Sequence, residues 1–216
     1  TSFPVDSSKL ILAGPHFYLG NPFYKTPRAI CTEKAHYDVI DLVEISESYL
    51  PRTNYLPVKE GDKFDEILPA VTWIESDKVS SKSVTSYYRH INRRDVSPSA
   101  ERTMIPAILQ KGASHILTTF SAVFKDSALM VLFSATCASL PIDFFVKSAG
   151  KAHILKDTLD LIPLLDRSKD FVKNEIVGRY LALNCLTNAY SDLWNICLNK
   201  AFNYCSWTSS ELSKND

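Results

Sequence analysis

A change of sequence period near residue 125 constrains this chain more than any other feature. Before it, apolar residues come in short β-rich runs cut by Gly-Pro and Pro; after it, they recur at helical spacing. "KLILAGPHFYL" (Lys9–Leu19) is broken at Gly14-Pro15 and leads into the turn-prone "GNPFYKTP". "YDVIDLVEI" (Tyr37–Ile45) alternates as a half-buried strand should, and Pro51 and Pro57 keep residues 49–57 extended. Ser and Lys dominate Lys78–Ser86, which reads as a flexible surface loop. Further strands are expected over Thr85–Val96, Thr103–Leu109 and His115–Phe124. Asp126 is placed to cap a helix that Pro141 ends or kinks, and Ser168–Cys205 holds one or two amphipathic helices with Phe171, Ile176, Tyr180, Leu183 and Leu186 on one face. The tail from Ser209 is polar and reads as frayed. The expected fold is α+β: a β-rich part over 1–125 with a mixed or antiparallel sheet, and a helical part over 126–216 packed on it.

With 216 residues the chain is long enough for a substantial core. The apolar run Leu129–Phe133 is too short to span a bilayer, so no membrane segment is expected. Five cysteines, none in a C-x-x-C pair, argue against a disulfide framework or zinc site and for reduced thiols in the cytoplasm. The five histidines lack metal-ligand spacing, and no metal is expected. The N-terminus has neither an initiating Met nor signal-peptide character, so the chain is read as part of a longer parent. Net charge is zero, yet residues 33–77 carry four basic and eleven acidic groups, and residues 78–125 carry eight and two. The zero net charge argues against indiscriminate coating of nucleic acid. The acidic and basic segments either pair or face solvent, or the basic one forms a binding surface. One alternative is a non-DNA interaction domain that docks on an acidic protein partner.

Asn21-Pro22-Phe23-Tyr24 is one residue from the Asn-Pro-Pro-Tyr word with which adenine-N6 DNA methyltransferases hold a flipped base. Asn21, Pro22 and Tyr24 are therefore the alternative catalytic candidates. Against them stands the cofactor requirement. The six glycines form no G-x-G, and strands do not alternate with helices as a cofactor-binding parallel sheet demands. Turn chemistry accounts for Gly-Asn-Pro without adenine.

The basic aromatic stretch Tyr87–Lys111 contains Arg89, Arg93, Arg94, Arg102 and Lys111 against Asp95 and Glu101. Arginine forks suit phosphate oxygens and guanine edges. As a strand, 85–96 would place Arg89, Ile91 and Arg93 on one face and His90, Asn92 and Arg94 on the other, either face being able to line up on phosphates. The competing reading pairs Arg102 with Asp95 or Glu101 and leaves the remainder as a solvated face.

"INRRDVSPSAERTMIPAILQKGASHI" (Ile91–Ile116) and "SLPIDFFVKSAGKAHILKDTLDLIPLL" (Ser139–Leu165) resemble the target recognition region of large type II restriction–modification enzymes. "GNPFYKTPR" (Gly20–Arg28), "YDVIDL" (Tyr37–Leu42) and "YLPRTNY" (Tyr49–Tyr55) match further words of the same region, in order. The resemblance implies a DNA-reading domain of an adenine-N6 methyltransferase, with or without an endonuclease. Double-stranded DNA and the parent's own methyltransferase domain would then be its partners. S-adenosylmethionine would belong to the parent, with no cofactor in this segment. Arg89, Arg93, Arg94, Arg102 and Lys111 are the expected DNA contacts, Lys147 and Lys151 the secondary phosphate partners, and Lys25 and Arg28 join them if the Gly20 turn faces DNA.

Overall fold

The computed structural model describes residues 1–58, 62–75, 80–97, 99–165, 169–198 and 202. Along the chain come β1 (Ile11–Leu12), β2 (Lys25–Pro27), β3 (Tyr37–Val39), a helical turn α1 (Asp62–Asp65), β4 (Arg89–Arg93), β5 (Pro106–Leu109), β6 (Ser114–His115) and β7 (Thr119–Val123). The helices α2 (Ser127–Cys137), α3 (Leu140–Ser148), α4 (Lys156–Leu159), α5 (Asp170–Asn184) and α6 (Ser191–Cys197) follow. The fold is α+β, strands first and helices last. Its central sheet is antiparallel in the order β5-β4-β7, flanked by a parallel β1-β6 pair and an antiparallel β2-β3 pair.

Register divides the central sheet into two covered faces. Arg89 stands opposite Leu109 and Ile91 opposite Ala107, and this side packs on Leu10, Leu12 and Phe17 from the N-terminal segment. His90 stands opposite Ile108 and points the other way, toward α2, where its Nδ1 lies 3.0 Å from Ser134 Oγ. α2 starts where Asp126 Oδ1 accepts the Leu129 N–H at 3.0 Å, and Pro141 sits in the first turn of α3, where its missing N–H costs nothing. Phe23, Tyr88 and Ile108 share one cluster with Met130, Tyr180 and Leu193, so described residues from both halves of the chain contribute to a common core.

The outer edge of β5 is closed by two side chains and one backbone N–H rather than by another strand. Asn184 Oδ1 accepts the Ile108 N–H at 3.0 Å, the Tyr190 hydroxyl donates to the Ile108 carbonyl at 2.9 Å, and Gly20 N–H donates to the Pro106 carbonyl at 2.8 Å. An edge that would otherwise invite pairing with another chain is thereby satisfied internally.

Several expected elements come out shorter or different. The strand predicted to Ile45 stops at Val39, because Asp41 Oδ1 turns back to accept the Val43 N–H at 2.9 Å, leaving Val43 exposed. Residues 80–86 are not a loose loop: Ser83 caps the turn Val84–Ser86, Thr85 is buried, and Val84 N–H bonds to the Pro69 carbonyl. The rest of that predicted loop and the polar tail from Ser209 lie outside the described residues. In α5, Tyr180 of the predicted face is buried, with Leu181 and Asn184 beside it, while Leu183 of that face is 59% exposed.

Candidate functional site

The turn after Phe17 begins the site. Tyr18 and Asn21 exchange backbone hydrogen bonds at 2.9 and 3.0 Å around Gly20, whose φ of +63° favours glycine. Asn21 Oδ1 accepts the Phe23 N–H at 2.8 Å, an Asx turn that directs Phe23 into the core against Tyr49 and Tyr190. With Phe23 buried, Tyr24 emerges on the opposite side and lies beside Tyr18, ring centroids 5.1 Å apart. The two tyrosines thus owe their position to an Asx turn and one buried phenylalanine.

Cations gather on this pair. Lys25 Nζ sits 5.1 Å from the Tyr24 ring centroid, and the Arg93 guanidinium lies 5.5 Å from that of Tyr18. Arg93 leaves the end of β4 and is fixed by donating through Nε to the Gly14 carbonyl at 2.9 Å and through Nη2 to the Phe17 carbonyl at 2.7 Å. Among the described residues no carboxylate pairs with it. Burial pulls its pKa below the usual arginine value. Lys34 reaches the same place from the turn Lys34–His36. Together with Gly14, Pro15, Thr118 and Asp95 these side chains enclose a cleft of about 320 Å³. Asp95 is held by Arg94 Nε at 2.9 Å and His153 Nδ1 at 2.9 Å, and the Arg94 hydrogen bond keeps its carboxyl below the usual range. Three cations, two aromatic faces and one already paired carboxylate make a surface for an anionic ligand with flat groups.

The other sequence-predicted residues are elsewhere. Arg89 is 2% exposed, because β4 is the middle strand and its Arg89 face is covered by the N-terminal segment; it is corrected from a DNA contact to an interior group. The expected phosphate stripe along β4 is absent for the same reason, since both faces of the strand are covered. Arg102 is also removed from the contact surface. Its Nη2 donates to the Ala138 carbonyl at 2.7 Å, and its Nε lies 3.4 Å from Asp143 Oδ1, not beside Asp95 or Glu101. Asp143 in turn accepts the Thr103 and Met104 N–H groups at 2.8 and 2.7 Å. Lys111 pairs with Asp192 at 2.8 Å, Lys147 donates to the Ala100 carbonyl at 2.9 Å, Lys151 pairs with Asp157, and Arg28 pairs with Asp38 at 2.8 Å. These four stay on the surface, apart from the cleft.

Of the expected contacts, Lys25 and Arg93 line the cleft, with Arg94 joined to it through Asp95. Of the alternative catalytic set, Tyr24 lines it, while the Asn21 oxygen is engaged by the Phe23 N–H and Pro22 is buried in the turn. Sequence reasoning missed Tyr18, which looked like one more apolar strand residue, and Lys34, hidden in the most acidic stretch of the chain. The available signal was the aromatic-cation run Tyr24-Lys25 directly after a Gly-Asn-Pro turn. Among the described residues no three His, Cys, Asp or Glu side chains converge as metal ligands. No family model, curated protein or solved structure matches the chain.

Proposed function

We propose that this chain is a DNA target recognition domain of a restriction–modification adenine-N6 methyltransferase, and that the cleft between Tyr18, Tyr24, Lys25, Lys34 and Arg93 is where it holds DNA. The observation that carries the reading is the convergence of three cations on two adjacent tyrosines at a rigid turn. Phosphate oxygens would meet Lys25 and Lys34, and the tyrosine faces would meet a sugar or an unstacked base. Arg93 has its positive charge fixed in place before DNA arrives, because two backbone carbonyls hold the guanidinium. The link to adenine methylation rests on the sequence resemblance. In this reading the parent's methyltransferase domain binds S-adenosylmethionine and does the chemistry, while this chain positions the duplex.

The test is fluorescence anisotropy with a library of short duplexes against the wild type and the single variants Tyr18→Ala and Tyr24→Ala. Loss of one stacking face is expected to weaken binding by roughly 5- to 150-fold, corresponding to about 1–3 kcal/mol, with unchanged circular dichroism. Equal affinity in all three proteins would place the DNA surface elsewhere. Arg93→Ala is a poorer probe, because it also frees the Gly14 and Phe17 carbonyls that shape the turn.

A further inference from the structure

A second cavity, of about 320 Å³, lies at the other end of β4 and is lined by Leu68, Pro69, Val84, Phe120 and Val123 around Arg89. Among the described residues Arg89 has no charged partner there. Its Nη2 donates to the Ala113 carbonyl, and among the described residues its Nε has no hydrogen-bond acceptor and no carboxylate forms an ion pair with it. The Asp65 carboxylate accepts from Thr85 Oγ1 at 2.8 Å instead. A 2%-exposed guanidinium facing a cavity without a counter-charge is costly for a folded protein to keep. Two more polar groups share the cavity wall: Ser114 Oγ, buried without a partner, and His115, whose Nε2 lies 2.8 Å from Ser121 Oγ. Burial pushes the Arg89 pKa down to about 10, so the group still carries its charge at neutral pH.

We infer that this cavity is a binding site for a small ligand with an oxyanion end and an apolar body, the oxyanion being met by Arg89 and Ser114 and the body by the Leu68, Val84 and Phe120 wall. Carboxylates and phosphate monoesters share the required head-group chemistry. The site is independent of the DNA reading, since it lies on different residues from the cleft.

Isothermal titration calorimetry on the full chain, without DNA, tests it with four probes: phenylacetate, phenyl phosphate, inorganic phosphate and benzyl alcohol. Saturable binding of phenylacetate or phenyl phosphate, tighter than that of inorganic phosphate, supports the proposal, and which of the two binds better identifies the head group. Inorganic phosphate binding as tightly as both would reduce the site to an adventitious anion contact and overturn the ligand class. Benzyl alcohol binding as well as the anions would do the same. Arg89→Met, which keeps the stem and removes the charge, is expected to weaken anion binding about ten- to a hundredfold while raising the melting temperature of the unliganded protein. Unchanged anion binding by this variant overturns the inference; should the variant not fold, the wild-type titration decides the question by itself, absence of anion binding overturning it.

Discussion

Arg89 and Arg93 leave the same face of β4 on either side of Ile91, about 13 Å apart along the strand, and meet opposite surroundings. Arg93 has two carbonyl acceptors beside the tyrosine cleft; Arg89 has one carbonyl acceptor beside the second cavity. Between them on the other face, His90 is fully buried against Ser134 and Phe133, and burial depresses its pKa from the ordinary 6.5 to about 3. The unfolded chain therefore takes up a proton at this residue that the folded chain refuses until far lower pH. Stability is at its full value above pH 6.5 and falls as pH drops from there toward 3. His16 and His115, also depressed by burial, act in the same direction. Urea denaturation between pH 7 and pH 4 is expected to show a shallower decline for His90→Gln than for the wild type, and parallel profiles would contradict a neutral buried His90. Asn184→Ala leaves the buried Ile108 N–H without an acceptor, and the same assay at pH 7 is expected to show a loss of about 1–3 kcal/mol.

At the scale of elements, the joint between α3 and the segment before β5 depends on one carboxylate. Asp143 accepts two backbone N–H groups and faces the Arg102 guanidinium, with side-chain exposures of 8% and 13%. Asp143→Ala leaves that cation and both N–H groups buried without it, and is expected to cost about 3–5 kcal/mol, measured by denaturant midpoint. A loss below about 1 kcal/mol would mean that water reaches the pair. Arg102 of "ERT" and Asp143 of "SLPIDF" are packing partners across 41 residues, and neither lines the cleft. Local chemistry is what the sequence exposes best. Asp126 caps α2 and Pro141 opens α3 as their positions require, and Asn21-Pro22 forms the turn that Gly-Asn-Pro suggests. The covering of β4 is set by Leu10, Leu12 and Phe17 on one side and α2 on the other, contacts between residues more than thirty positions apart that no window of "YRHINRRD" contains. Arginines alternating with apolar residues look like a wet face until those covers are in place.

The whole molecule brings its two charge-rich stretches together in an order that the linear pattern hides. Lys34 comes from the acidic stretch and Arg93 from the basic one, yet both line one cleft, while Lys111, Lys151 and Arg28 are neutralised by Asp192, Asp157 and Asp38. The basic surplus of residues 78–125 is partly compensated by Asp192 at Lys111 and Asp143 at Arg102, and a concentration of three cations, Lys25, Lys34 and Arg93, lines the cleft beside Tyr18 and Tyr24. If that concentration is what meets DNA, affinity must depend on counterion release at these side chains. The most direct measurement is the slope of log K against log salt concentration for a short duplex, compared between the wild type and Lys25→Ala/Lys34→Ala. The account predicts a wild-type slope of about −3 or steeper and a double-variant slope shallower by about 2. A wild type that does not bind duplex DNA at low salt, or a slope that the two substitutions leave unchanged, would contradict it.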